Sequence, residues 1–189
     1  MIQQVFWQNR LVSFIALTLA FGLVYALNNT LTAPLMVVPG AHLIHLPSGF
    51  KVLLVLIFAW TGALSIFTVS LLASIFFYFP AQWFISLQLA AACALAPMLT
   101  RKIAFEHLGI ESDLSNLNIK RLFYLGLVFS ALNSSFNQLV LFWNHVIDHF
   151  SQGFLIMFTG DITGVMMVIG LIRWGMKLLK PRLHSLDET

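Results

Sequence analysis

The chain has 189 residues, of which 59% are hydrophobic and 9% are charged, with a formal net charge of +3. Soluble domains are about 45–50% apolar and about 25% charged, and a small domain cannot hide this excess of apolar surface from water. The composition excludes a soluble enzyme, a disordered tail and a fibrous repeat, and predicts an integral membrane protein in a lipid bilayer. The ten lysines and arginines are divided among predicted helix ends, so no nucleic-acid partner is expected.

The first predicted span runs from Leu11 to Leu27 and is expected to be a retained helix rather than a cleaved signal peptide. The following segment, residues 31–49, is apolar but contains three prolines and two glycines. Because proline removes a backbone donor and breaks helices, this segment is not expected to span the membrane. We expect it to fold back onto the membrane surface or to dip partly into it, shielded by other helices.

Residues 51–79 are open to two interpretations. As one helix they would be about 43 Å long, whereas the hydrocarbon core of a bilayer is about 30 Å thick. We expect a pair of short helices with a break near Trp60, because tryptophan is typical of the membrane interface. The predicted fold class is therefore an all-α polytopic transmembrane helical bundle with six spans, or five if residues 51–79 form one helix.

Three further spans are predicted, the first beginning after Pro80 and rich in alanine. They cover about 81–99, 122–143 and 154–173, with a polar connection at 101–121. Residues 1–175 are expected to form a single transmembrane domain, followed by a short basic cytoplasmic tail at 176–189. Both the polar connection and the C-terminal end are rich in lysine and arginine, which places them in the cytoplasm.

The basic residues near the N-terminus do not decide between the two topologies. Six spans place Arg10 inside and Lys51 outside, whereas five spans reverse both positions. Each topology leaves nine of the ten basic residues inside, so the length of residues 51–79 and the position of Trp60 favour six.

One carboxylate is predicted to lie inside a span. Asp161 stands about two turns inside the outer end of the last span, and ionisable residues in such positions need a partner, water or a ligand. Gly160 and Gly164 flank it and allow another backbone to pack closely. Two interpretations remain open: a ligand, ion or proton site, and a helix–helix contact that satisfies Asp161.

The preceding span carries a polar stripe whose members recur at steps of three and four residues, so they lie on one helical face. They are Gly126, Ser130, Asn133, Ser134 and Asn137. The stripe is expected to face Asp161 inside the bundle, either as a polar pocket that opens to the outer side or as hydrogen-bonding contacts between helices. The candidate ligand-binding residues are Asp161, Asn133, Asn137 and Ser130, and the candidate packing residues are Gly160, Gly164 and Gly126.

No enzyme, metal site or cofactor is predicted. The sequence contains no phosphate-binding loop, zinc-protease motif or nucleophile elbow, so no residue is assigned a catalytic role. His145 and His149 have metal-ligand spacing and His42 and His45 lie in the proline-rich segment, but histidines in connections are more often surface residues. The single cysteine, Cys93, is expected to be a small buried apolar residue.

Several short stretches resemble the MASE-type membrane-associated sensor domains of bacteria. Residues 46–50 followed by 51–60 are similar to the Pro-x-Gly start and second helix of that family, and 159–164 are similar to its late Gly-Asp-x-x-Gly stretch. The resemblance extends over residues 10–175 and includes the polar residues 118–121. Leu46 stands where the family usually has tryptophan, and family members are usually longer and fused to output domains.

The resemblance implies a multi-pass sensor of the bacterial inner membrane that acts through another membrane or signalling protein. The architecture also resembles the substrate-binding S components of energy-coupling-factor transporters, which implies a small molecule bound at the outer side and partner subunits. The predicted function is a sensor-like or ligand-receiving module without its own output domain. The alternatives are a substrate-binding subunit of a multi-component transporter and a structural membrane assembly protein.

Overall fold

The computed structural model describes residues 9–38, 41–111 and 118–184. The described chain contains six α-helices and one two-stranded antiparallel hairpin. The helices are α1 (Arg10–Leu31), α2 (Leu46–Phe58), α3 (Trp60–Ala73), α4 (Trp83–Glu106), α5 (Ile119–Trp143) and α6 (Phe150–His184). The strands are β1 (Met36–Val38) and β2 (Ala41–His42), preceded by a 3₁₀ turn at Ala33–Leu35, and a π-helical turn at Ser74–Tyr78 extends α3.

Five of these helices are long and apolar enough to cross a membrane, so the chain is a polytopic helical membrane protein by helix length and composition. The sixth, α2, has 13 residues and is only about 20 Å long, which is shorter than the hydrocarbon core of about 30 Å. Large apolar side chains are exposed on the outside of the bundle, as expected for surfaces that face lipid. The bundle therefore has five long helices and one short one.

The expected hairpin within residues 51–79 is confirmed, and the single-helix alternative is wrong. Ala59 has a φ of 48° and separates α2 from α3 one residue before Trp60. The chain reverses so sharply that Gly62 packs against the backbone of Leu54, where a Cβ atom would collide with the Leu54 carbonyl group. Glycine at position 62 therefore allows the two arms to pack together directly after the turn.

Several helix boundaries differ from the predicted ones. Helix α2 already begins at Leu46, within the segment predicted to be non-helical. Proline is tolerated at position 47 because backbone N–H groups in the first turn have no partner within the helix, so the N–H that proline lacks is not missed. Pro80 does not start a helix, since Ala81 has a φ of 65° and α4 begins only at Trp83.

The later connections are also shorter than predicted. Helices α4 and α5 shorten the polar connection from 101–121 to 107–118, of which 112–117 lie outside the described residues. Helix α6 continues through the first part of the predicted tail, and 185–189 lie outside the described residues.

Contacts between helices define the direction of each one. Helices α1 and α3 are parallel, because Ser65 donates to the carbonyl oxygen of Phe14 near their beginnings and Asn29 donates to Tyr78 near their ends. Helix α2 runs antiparallel to both. Helices α4 and α5 are antiparallel, as two hydrogen bonds show: one joins Asn144 to Gln88 and the other joins Asn137 to Cys93.

The helix directions place the connections on two sides. The start of α1, the α2–α3 turn, the end of α4, the start of α5 and the end of α6 lie on one side, which we call the amino-terminal side. The other connections lie on the opposite side. Two apolar clusters fill the interior, one around Phe129 and Val165 and one around Phe21, Val55 and Ile66.

The α2–α3 hairpin predicts where introduced cysteines react. In a Cys93→Ala background, Trp60→Cys and Glu106→Cys should react with a membrane-impermeant thiol reagent from the amino-terminal side, and Asp148→Cys only from the opposite side. Trp60 and these two acidic residues are exposed, so the reagent can reach each position. Labelling of oriented vesicles measures the accessible side. An unreactive Trp60→Cys, or one labelled from the side of Asp148, would contradict the hairpin.

Candidate functional site

A buried carboxylate connects three helices at the centre of the bundle. Asp161 on α6 is completely buried, and its Oδ1 accepts a 2.5 Å hydrogen bond from the hydroxyl group of Ser48 on α2. Its Oδ2 accepts 2.7 Å from Nδ2 of Asn133 and 3.5 Å from the hydroxyl group of Ser134, both on α5. The Nδ1 atom of His45 lies 3.5 Å from Oδ1. We call Asp161 and these four residues the Asp161 cluster.

The cluster lies at the point where α2 begins. Asp161 is about 16 Å along the helix axis from Phe150, or roughly half of the hydrocarbon thickness. The N-terminal end of a helix carries partial positive charge, so a carboxylate beside the first turn of α2 is favourably placed. Non-helical backbone at this depth is tolerated only where protein buries it. The start of α2 therefore requires partners from other helices.

Those partners are present in the described chain. The backbone N–H of His45 donates to the carbonyl oxygen of Gly160 at 3.1 Å, and that of Leu46 donates to Oδ1 of Asn28 at 2.9 Å. The hydroxyl group of Thr163 donates to the carbonyl oxygen of Leu43 at 3.1 Å. Helices α1 and α6 therefore hold the segment that leads into α2.

Two glycines allow the close approach of backbones around the cluster. A Cβ atom at Gly164 would collide with the carbonyl oxygen of His45, which is a backbone atom. A Cβ atom at Gly126 on α5 would lie 2.8 Å from Cγ1 of Val165 on α6. Gly160 contributes its carbonyl group to the contact with His45. All three predicted packing glycines thus lie where α6 meets α5 or the start of α2.

A series of hydrogen bonds extends from the cluster to a buried lysine. Nδ2 of Asn137 donates to the backbone oxygen of Asn133 at 2.8 Å, and the thiol of Cys93 lies 3.5 Å from Oδ1 of Asn137. The Nζ atom of Lys51 lies 3.4 Å from Sγ of Cys93. Lys51 is only 1% exposed, so an ionisable amine also lies inside the bundle.

Two sequence interpretations are wrong at this site. Lys51 was expected at a membrane surface in both topologies, and His45 was expected to be a surface residue, but both are buried. The sequence contains a signal for Lys51: it is the only charged residue in α2 and lies three residues after Ser48, on the same helical face. Cys93 is buried as expected, yet it contacts polar groups.

A small cavity borders this series of residues. Its volume for water-sized molecules is about 50 Å³, which is enough for several waters at roughly 10–15 Å³ each but far below the 300–1,000 Å³ of a typical site for drug-sized ligands. Phe79 and Leu141, which lie near helix ends on the opposite side, also line it. The cavity therefore lies in that half of the bundle. Its principal polar lining residues are Tyr25, His45, Lys51, Ser70, Asn137 and Gln138.

The four candidate ligand-binding residues divide into two groups. Asn137 lines the cavity, whereas Asp161, Asn133 and Ser130 are buried away from its lining. Asp161 and Asn133 contact each other, and the hydroxyl group of Ser130 has no hydrogen-bond partner among the described residues. The cavity contacts the Asp161 cluster through two lining residues, His45 and Asn137.

The histidine pairs do not form a recognisable metal site in the described part of the chain. No group of three or more histidine, cysteine, aspartate or glutamate residues there could hold a metal ion. Residues 144–149 are not helical and His145 has a φ of 55°, so His145 and His149 do not share the helical face that their spacing required. The side chain of His42 lies outside what the structure describes.

The chain matches no known family, no curated protein and no solved structure. The resemblances to sensor domains and to transporter S components therefore remain predictions.

The close contact at Gly164 predicts that alanine substitutions at Gly164 and Gly170 change the stability of the protein in opposite directions. Gly164→Ala should lower the free energy of unfolding by about 1–3 kcal/mol, because the methyl group displaces the His45 backbone. Gly170→Ala on the same helix meets nothing within 4 Å and should stabilise the protein by about 0.5–1 kcal/mol through helix propensity. Thermal unfolding in mild detergent measures both. Equal effects of the two substitutions would contradict the close contact.

The pairing of Asp161 with Asn133 predicts how stability changes when the two side chains are exchanged. Asp161→Asn should destabilise the protein by about 1–3 kcal/mol, because its amide NH₂ group must face one of the donors that now reach the carboxylate. The double variant Asp161→Asn with Asn133→Asp restores an amide–carboxylate pair and should recover more than half of the loss. Asp148→Asn in an exposed connection is the control. A double variant as unstable as the sum of both single variants would contradict the pairing.

Proposed function

We propose that the chain is a non-enzymatic membrane protein that receives a small polar solute in its cavity and passes the bound state to a partner protein. The observation that carries the proposal is the cavity wall, which contains the buried Lys51, His45 of the Asp161 cluster, and Asn137, which donates to that cluster. Ionisable groups inside a membrane are energetically costly and mark solute or proton sites by default.

The volume of the cavity limits the solute. Space of about 50 Å³ accepts waters, an ion or a molecule of a few heavy atoms, and excludes a large cofactor without rearrangement. The lining is mixed, with hydroxyl, amide, imidazole and amine groups beside Phe79, Leu141 and Met157. Such a surface is suited to a small solute that has at least one polar end.

The proposed orientation places the cavity towards the outside of the cell. Arg10, Arg101, Lys102, Lys120 and Arg121 lie near helix ends on the amino-terminal side. The positive-inside rule then makes this side cytoplasmic and the C-terminal end of α6 cytoplasmic as well. A solute would enter from the outer half of the bundle. A partner would contact the cytoplasmic half, consistent with a sensor of the bacterial inner membrane.

A transport subunit is the second candidate, and the interruption before α2 favours it. Helix α2 starts at mid-membrane depth beside a buried carboxylate, and broken helices with termini near the midplane are typical of substrate sites in transporters. The two functions differ in one observable. A transport subunit moves its solute into vesicles together with its partners, whereas a sensor changes only the activity of a partner.

Cys93 provides an internal reporter of solute access, because it lines the cavity and is the single cysteine of the chain. A small neutral methylthiolating thiosulfonate should modify Cys93 in the folded protein, forming a disulfide with the methylthio group and releasing methanesulfinate. The matched control is Ala96→Cys in a Cys93→Ala background, one turn along α4 at a fully buried position that does not line the cavity. Mass spectrometry of the intact protein should show modification of Cys93 about tenfold faster, since access limits thiol reactivity.

Equal and slow modification of both thiols would contradict the proposed function. The cavity would then be closed to solutes, and the polar residues would act only to hold the helices together. Both thiols should react rapidly in denaturant, which confirms that the reagent is active.

A further inference from the structure

The amine of Lys51 has an unusual environment for a buried cation. Within the described chain its only hydrogen-bond partner is the thiol of Cys93, and it forms no ion pair there. An ammonium group has three donors, and a thiol is a weak acceptor. Burial of a charge without a matching partner is strongly unfavourable. Among the described residues, Cys93 therefore leaves donors of the amine that a further acceptor in the cavity would satisfy.

Asp161 does not meet this requirement. Its two oxygens already accept hydrogen bonds from Ser48 and Asn133, and His45 lies beside it. The hydrogen-bond series through Asn137 and Cys93 separates the carboxylate from Lys51. The negative charge is therefore held by groups other than the lysine.

The cavity beside Lys51 borders a second buried donor. The hydroxyl group of Ser70 has no hydrogen-bond partner among the described residues, although Ser70 is only 8% exposed. Ser70 lines the same cavity as the lysine. Two buried groups that can donate hydrogen bonds thus line one small space, and an occupant that accepts hydrogen bonds would relieve both.

We propose that the solute is a small carboxylate anion whose oxygens accept hydrogen bonds from Lys51. The inference rests on the proposed function and adds the chemical class of its solute. A carboxylate offers about four acceptor sites to the amine and to the neighbouring hydroxyl groups. Its charge compensates the buried ammonium in a low-dielectric environment, where hydrogen bonds between charged groups are strong. A carboxylate with one or two carbons has the size that the cavity accepts.

The experiment uses modification of the native Cys93 in the purified full-length chain at constant ionic strength and pH 7. Formate and acetate should slow the reaction with the neutral thiosulfonate, because Cys93 lies beside the amine that they bind. At ten times its dissociation constant, acetate should slow the reaction by about tenfold through mass action. Acetamide, which has nearly the same shape without charge, and methylammonium should each slow it less than about twofold at the same concentration.

Two lysine variants test the role of the amine. Lys51→Met should fold, since methionine replaces the buried stem without the charge, and should abolish protection by acetate. The same substitution at Lys102, an exposed residue of α4, should leave protection unchanged. If Lys51→Met fails to fold, the difference between acetate and acetamide in the unaltered protein still decides the question.

Each contrary result has a separate meaning. Protection by acetamide equal to that by acetate, or protection of Lys51→Met, overturns the carboxylate site while solute access stands. Protection by chloride alone overturns the carboxylate in favour of a spherical anion. A Cys93 that does not react in the folded protein overturns both the solute site and the proposed function.

Discussion

The centre of the bundle depends on the pairing of the Asp161 carboxylate with donors from two other helices. In a hydrocarbon environment a carboxyl group cannot obtain hydrogen bonds from solvent, so protein groups must supply them. Ser48 supplies one from α2 and Asn133 supplies another from α5. Helix α2 is too short to span the membrane, and these polar contacts fix where it begins. The position of α2 in turn determines where Lys51 and the cavity lie.

The same constraint explains the residues before α2. Every backbone donor at membrane depth needs a partner inside the protein, and the segment before the helix has no helical bonds of its own. The side chain of Asn28 accepts from Leu46, Pro47 has no N–H group, and Ser48 donates its backbone N–H to His45. Gly164 leaves room for this backbone to lie against α6. In the sequence, proline and glycine predict the absence of a helix. In the structure, they allow α2 to begin inside the bundle without an unpaired backbone donor or a steric clash.

The sequence predicted the contacts of Asp161 with α5 because both helices are long and apolar. A polar stripe on such a helix can face only the interior, so periodicity alone brings Asn133, Ser134 and Asp161 together. The contribution of Ser48 and the burial of Lys51 were missed for a common reason. The rule that places basic residues at the membrane surface assumes that helices begin there, whereas α2 begins inside the bundle beside Asp161, about 16 Å along α6 from Phe150. Local sequence does not reveal this depth, which depends on contacts with α1 and α6.

Because the cavity and the Asp161 cluster share residues, occupancy of one has a direct route to the other. Asn137 lines the cavity, contacts Cys93 and donates to Asn133, which holds the carboxylate. Under the proposed function, a solute that binds Lys51 competes for hydrogen bonds in this series. The solute can shift the protein between two conformations only to the extent that it binds one of them more tightly than the other. Helix α2 is short and is held by polar contacts at its start, so it is an element that can adopt two positions. The other end of α2 is joined tightly to α3 at Gly62, so a shift of α2 would reach the turn on the amino-terminal side.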